Sequence, residues 1–179
     1  MATYFISDLH LDHENILKFA GKYRDGATVE EHNQILIDKI NSRVHKHDKL
    51  FVLGDVAMSR KGLAMLDQLR CRERHLIIGN HDDFPLHDYL RHFNKVHGFM
   101  FHKGFWLSHA PIHPTELRGR KNIHGHVHQN YINDPNYICV CVEPLNGYPI
   151  SFDEIVAIHG KPQHYDKTIQ QKFDFGEIQ

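Results

Sequence analysis

Three short apolar runs, each cut off at a polar or glycine-containing turn, set the strongest limits on the fold of this chain. Thr3 to Ser7 stops at Asp8-Leu9-His10, Leu50 to Leu53 at Gly54-Asp55, and His75 to Ile78 at Gly79-Asn80-His81. Runs of four or five such residues suit strands covered on both faces, as in a parallel sheet. Val29 to Val44 carries Leu36, Ile37, Ile40 and Val44 at helical spacing, and Leu63 to Arg70 repeats the pattern through Leu63, Leu66 and Leu69. The order β-α-β-α-β predicts parallel strands joined by helical crossovers. Such a sheet collects its functional groups in the loops at the carboxyl ends of its strands.

The second half is richer in strands. Val96 to Phe101 and Phe105 to Ser108 flank Lys103-Gly104 and predict a hairpin, while Asn122 to His124 and Tyr137 to Val142 add further strands. An αβ half followed by a strand-rich half predicts two stacked mixed sheets. Ser151 and Glu154 match a capping box that opens a last helix running to about Ile158. At 179 residues, one domain over 1–159 is expected, followed by a polar tail over 160–179 that is draped on the surface or partly disordered.

No apolar run approaches the roughly 20 residues that cross a bilayer, and the N-terminus enters a strand directly, so a cytoplasmic protein without membrane partners is expected. A net charge of −1 lacks the basic excess that grips long nucleic acid. Three cysteines, Cys71, Cys139 and Cys141, leave an odd count that argues against a disulfide framework, and Cys139 and Cys141, on one face of a strand, are expected to be buried reduced thiols rather than ligands.

Eighteen histidines are abundant, but their spacing carries more than their number. Five blocks, Asp8-Leu9-His10, Gly54-Asp55, Gly79-Asn80-His81-Asp82, Ser108-His109 and Gly125-His126-Val127-His128, each hold groups that bind divalent cations through oxygen or imidazole nitrogen. Asp8 and His10 stand two apart, so in an extended segment both can face one ion, and His126 and His128 repeat the spacing. A carboxylate at a strand end, as Asp55 is, can bridge two ions. A metal pair about 3.5–4 Å apart activates water and clamps phosphoryl oxygens, which is what phosphate ester hydrolysis requires.

In this order the blocks resemble the calcineurin-like metallophosphoesterase family, whose pattern is Asp-x-His, Gly-Asp, Gly-Asn-His-Asp/Glu, a lone His and Gly-His-x-His. The resemblance spans about Tyr4 to Val142. It implies an α/β fold, a four-layer αββα sandwich of two mixed β-sheets flanked by helices, with a dinuclear metal site at the sheet edge. It makes Asp8, His10 and His128 ligands of one ion, Asn80, His109 and His126 ligands of the other, and Asp55 the bridge. His81 would face the scissile phosphate and protonate the leaving oxygen, and Asp82 would orient and charge its ring. The donors suit Mn²⁺ first, with Fe²⁺, Ni²⁺ or Zn²⁺ as alternatives.

Beyond the core motif, His13 and Asn15 are candidates to reach substrate, and Arg24, Arg118 and Arg120 are candidate phosphate clamps. His113 and His124 are expected to support ligands by hydrogen bonding rather than to coordinate. The expected activity is hydrolysis of phosphodiesters, and of activated monoesters, by a metal-bridging hydroxide acting on small nucleotide-type substrates or short nucleic acid. The rival readings are a nuclease on polymeric DNA or RNA, and a metal-binding scaffold that has the fold without turnover.

Overall fold

The computed structural model describes residues 1–160. The first half runs β1 (Thr3–Ile6), α1 (Ile16–Ala20), α2 (Val29–Arg43), β2 (Lys49–Val52), α3 (Arg60–Ala64), β3 (Glu73–Ile77) and α4 (Leu86–Tyr89). It continues through β4 (Lys95–His97), β5 (Met100–His102), β6 (Phe105–Ser108), α5 (Pro114–Leu117), β7 (Lys121–His124), β8 (Tyr137–Cys139), β9 (Ile150–Ser151) and α6 (Phe152–His159). One sheet has the order β4-β3-β2-β1-β9, the other β5-β6-β7-β8. Each is mixed: β1 to β4 pair in parallel and β9 is antiparallel to β1, while β6, β7 and β8 are parallel and β5 is antiparallel to β6.

The unbroken apolar run of β2 follows from its position. Leu50 and Val52 point into a layer shared with Leu36, Ile37 and Ile40 of α2 and with Leu63 and Leu66, whereas Phe51 and Leu53 point the other way. There they join Phe5 and Ile77 against Phe105, Leu107, Ile123 and Ile138 of the second sheet. Burying a side chain of this size contributes about 1.5–3 kcal/mol, so the two layers tie α2, both sheets and α6, through Ile155, into one core. Two mixed sheets with helices are as the sequence predicts; outside the second sheet lies the four-residue α5, whose Leu117 carbonyl accepts a hydrogen bond from the Trp106 indole at 3.2 Å.

Two local expectations are corrected. The run Val96 to Phe101 is not one arm of a hairpin. It breaks at Gly98-Phe99, so that β4 closes one edge of the first sheet and β5 alone forms the hairpin with β6. The helix expected from Leu63 to Arg70 begins earlier, at Arg60, because the Ser59 side chain accepts from the Gly62 amide, and it tightens into a 3-10 turn over Met65–Gln68. The Asn41 carboxamide meets the Gln68 carbonyl and the Arg70 amide and ends the turn there. The tail expected over 160–179 lies outside the described residues apart from Gly160. No helix among the described residues is long and apolar enough to cross a membrane.

Three histidines occupy one end of the layer around Phe51: the rings of His75 and His102 each lie 4.9 Å from the Phe51 ring, and His97 lies 5.9 Å from His75. His102 Nε2 and His75 Nδ1 are buried without a hydrogen-bond partner. Burial, with Lys103 and Lys49 nearby, pushes the His102 pKa down to about 4. A histidine depressed in this way stabilises the fold fully above pH 6.5 and loses that contribution as pH falls through about 4. Because the ring is partly open to solvent, His102→Phe is expected to remove only about 1–2 kcal/mol of this acid sensitivity. Urea unfolding of the two proteins at pH 7 and pH 4.5 checks it: the stability gap between the two pH values should narrow in the variant.

Candidate metal centre

The loops after β1 and β2 run side by side, with the amides of Asp8, His10 and Leu11 donating to the carbonyls of Gly54, Asp55 and Val56 at 3.0 Å each. Their backbone is unusual. Asp8, His10, Asp55, His126 and His128 all have φ between 49° and 73°, the left-handed region that costs about 1–2 kcal/mol for a residue with a side chain. The loops also pack too closely for side chains at two glycines. A Cβ on Gly125 would collide with Ser7 Oγ and Asp8 Oδ2, and one on Gly79 would collide with Asp55 Oδ1. These turns bring the blocks from β1, β2, β3, β6 and β7 to one end of both sheets.

Two carboxylates there, Asp8 and Asp55, are each held by one oxygen and leave the other for a cation. Asp8 Oδ2 accepts from Ser7 Oγ at 2.6 Å, the His126 amide at 2.9 Å and Cys141 Sγ at 3.2 Å, while Asp8 Oδ1 is buried with no hydrogen-bond partner. Asp55 Oδ1 accepts from the His81 amide at 2.9 Å, and its Oδ2 faces His10 Nε2 at 3.7 Å and His109 Nε2 at 3.4 Å. Burial would raise the Asp55 carboxyl, but hydrogen bonds from His109 and the His81 amide outweigh it and hold the group at about 2. It is therefore a carboxylate throughout the physiological range.

The imidazoles are oriented in the same sense. Both ring nitrogens of His10 are buried without a hydrogen-bond partner, and Nε2 lies 3.8 Å from Asp8 Oδ1. Burial pushes its pKa down to about 4, so the ring offers a lone pair. His109 donates Nδ1–H to the Leu53 carbonyl at 2.8 Å. Burial would lower the His109 pKa, but Asp55, Asp8 and the Leu53 carbonyl raise it, and Nε2 stands 2.9 Å from Asn80 Oδ1. His126 Nδ1 is 2.9 Å from the same oxygen and 3.2 Å from His109 Nε2. So many lone pairs repel unless a proton or a cation sits among them. Asp8, His10 and His128 form one group with mutually close donor atoms, and Asp8, Asp55 and His109 form another; both fit a divalent metal.

All seven candidate ligands are thus brought together, with Asn80 and His126 adjoining the second group. His81 is exposed beside them, its ring 5.7 Å from that of His10. Together with His10, His13, His126 and His128 it lines an open cavity of about 450 Å³.

Other candidates are placed elsewhere. Asp82 does not orient the His81 ring: its buried carboxylate accepts from the amides of Asp55, Val56 and Gly79 at 2.8–2.9 Å and ties the β2 and β3 loops together. Arg24 is no phosphate clamp, since its side chain is fully buried and ion-paired to Glu143 at 2.6 Å. Asn15 precedes α1 and accepts from Lys18, Arg118 pairs with Glu116 in solvent, and Arg120 stacks 4.2 Å over the Phe101 ring; none of these lines the cavity. His113 caps α5 at an exposed position, whereas His124 is buried under the Gly125 turn with Nδ1 2.8 Å from its carbonyl.

Glu143 is the residue that sequence reasoning missed. Its Oε1 meets His128 Nδ1 at 3.0 Å, which leaves Nε2 pointing toward Asp8 Oδ1 at 3.6 Å. Such a carboxylate–histidine pair fixes the tautomer of a ligand and raises its basicity. Arg24 also donates to the carbonyls of Asp8 and Leu9, at 2.7 and 3.0 Å, and so links Glu143 to the first ligand loop. Burial would raise the Glu143 carboxyl, but His128 and Arg24 hold it at about 2. The available signal was a lone carboxylate directly after the apolar run Tyr137 to Val142. Cys139 and Cys141 are both free thiols as expected, but only Cys141 is fully buried, Cys139 being half-buried, and the Cys141 contact with Asp8 was not foreseen.

No family model matches the chain. Over 166 residues it is 34% identical to the uncharacterized protein MJ1445 of Methanocaldococcus jannaschii, a match covering 87% of this chain and 89% of that protein. At that identity and coverage this chain belongs to the same family as MJ1445. It is also 38% identical over 85 residues to the gene 66 protein of Mycobacterium phage L5, covering 45% of this chain and 39% of the phage protein. Among solved structures, the protein of unknown function AQ665 from Aquifex aeolicus superposes with a TM-score of 0.70 at 26% identity, over 88% of this chain and 98% of that one.

Proposed function

We propose that this member of the MJ1445 family is a metal-dependent phosphoesterase of the calcineurin-like type, cleaving phosphodiesters and activated monoesters of nucleotide-type substrates. One observation carries the reading: donors from five separate motifs meet with their free atoms converging, and two of those atoms, Asp8 Oδ1 and His10 Nε2, are buried without any hydrogen-bond partner. Leaving such groups unmatched costs about 1–3 kcal/mol each, which a bound cation recovers. In this reading Asp8, His10 and His128 would hold one ion and Asn80, His109 and His126 the second, with the Asp55 carboxylate available to both. Two divalent cations bound there supply an acidified water and charge neutralisation on the phosphoryl oxygens.

The remaining chemistry falls to the chain. Leu53 and Glu143 fix the tautomers of His109 and His128, so that each presents Nε2 to the centre. Asp82 holds the β2 and β3 loops in register, which keeps Asp55 and His81 in position. His81, exposed at the cavity, carries the proton for the leaving oxygen. The openness of the site suits a diester better than a deep selective pocket would, and Mn²⁺ is the metal we would supply first.

The test is hydrolysis of a chromogenic phosphodiester and its monoester by metal-stripped protein resupplied with Mn²⁺, Ni²⁺, Zn²⁺ or Mg²⁺. Metal-dependent turnover of the diester supports the reading; stoichiometric metal binding without turnover of either ester would favour the scaffold. His81→Ala supplies a second check. It should slow an ester with a poor alkyl leaving group about 10²–10⁴-fold, and a nitrophenyl ester much less, because nitrophenolate departs without a proton.

A further inference from the structure

The cavity beside the candidate metal centre has one wall that phosphate chemistry does not account for. Phe19, on α1, is 73% exposed although its neighbours on the same short helix, Ile16 and Ala20, are buried. A single exposed phenylalanine is ordinary on a protein surface. This one lines the cavity that also holds His10, His81, His126 and His128. Its ring stands edge-on to His13 at 6.1 Å, and His13 stands edge-on to His10 at 5.8 Å. A stepped row of rings therefore leads from a candidate ligand out to an aromatic face open to solvent. On the same cavity lie Gln129 and Asn130, whose exposed carboxamides make no hydrogen bond among the described residues.

We propose that Phe19 is the platform on which the nucleobase of the substrate stacks, with the Gln129 and Asn130 carboxamides facing the edge of the base. The inference rests on the phosphoesterase reading, since it takes the phosphate to lie at the metal centre and the base to lie one sugar further out. Two features favour a base over an aliphatic group. An exposed aromatic face rewards a flat π-system, and carboxamides offer a donor and an acceptor side by side, which matches the paired edge of a nucleobase. A site built from one ring and two amides orders a base without demanding a particular one, so the expected substrate class is nucleotide esters of relaxed base identity.

Adenosine 5′-monophosphate and ribose 5-phosphate carry the same phosphate and sugar and differ in the base, so titration calorimetry of both against the Mn²⁺-loaded protein isolates the platform. The unmodified protein should bind the nucleotide about tenfold more tightly, within the range that base–aromatic stacking supplies. Phe19→Ala should remove that ratio while leaving ribose 5-phosphate affinity and Mn²⁺ stoichiometry unchanged, and Phe19→Trp should restore it. Equal affinities in the unmodified protein, or a ratio that survives Phe19→Ala, would overturn the platform and leave the phosphoesterase reading intact. If neither compound binds the metal-loaded protein the platform falls, while the phosphoesterase reading is decided separately by the hydrolysis assay.

Discussion

Asp55→Asn is expected to lower metal-dependent phosphodiester hydrolysis at least about 10³-fold, the equivalent of some 4 kcal/mol of lost charge stabilisation. The substitution is informative because it is nearly isosteric. An asparagine oxygen can still accept the His81 amide, so the β3 loop keeps its anchor. What changes is the atom facing His10 and His109: an anionic oxygen becomes a neutral amide nitrogen. Circular dichroism should be unaltered while the Mn²⁺ stoichiometry drops from two toward one. Retention of both ions with full activity would remove Asp55 from its bridging place and with it the proposed mechanism.

Arg24→Met is expected to produce the largest loss of stability, about 3–5 kcal/mol in urea unfolding of the metal-free protein. Methionine roughly matches the volume but abandons Glu143, which is fully buried, and leaves the carbonyls of Asp8 and Leu9 without their donor. Adding Glu143→Leu to the same chain should recover part of the loss, since the stranded charge then disappears. Metal affinity would not follow stability in that double variant. Without Glu143 the His128 ring loses the acceptor that sets its tautomer, and apparent Mn²⁺ affinity should fall about 10–100-fold. Competition with a chromogenic chelator separates that effect from folding.

The parts of this centre that the sequence made legible are those written within a few residues. Asp8 and His10, or His126 and His128, announce themselves because ligand and turn belong to one loop, and the apolar run before each block marks the strand that delivers it. The Arg24–Glu143 pair was not legible, because the two residues stand 119 apart and nothing local to Arg24 says that its loop folds beneath the centre rather than over it. Asp82 was misread for a related reason. Its place next to His81 suggested a partner for that ring, but the β2 loop presents two amides that bind its carboxylate, and hydrogen bonds from backbone donors prevail over sequence adjacency. The division of Val96 to Phe101 between two sheets escaped notice because both halves have the same apolar alternation, and the break at Gly98 carries no turn pattern strong enough to mark it.

The left-handed turns at Asp8, His10, Asp55, His126 and His128 also bear on how such a protein can change over generations. After glycine, the residues that tolerate this backbone best are asparagine, aspartate and histidine. These are also side chains that coordinate hard and borderline cations. Shape and chemistry therefore draw on nearly the same small alphabet at these positions. A lineage under selection for the fold alone would drift among glycine, asparagine and aspartate there, keeping the loops while the donors thin out. Recovering the donors from such a state would take few substitutions, and none would require the backbone to move.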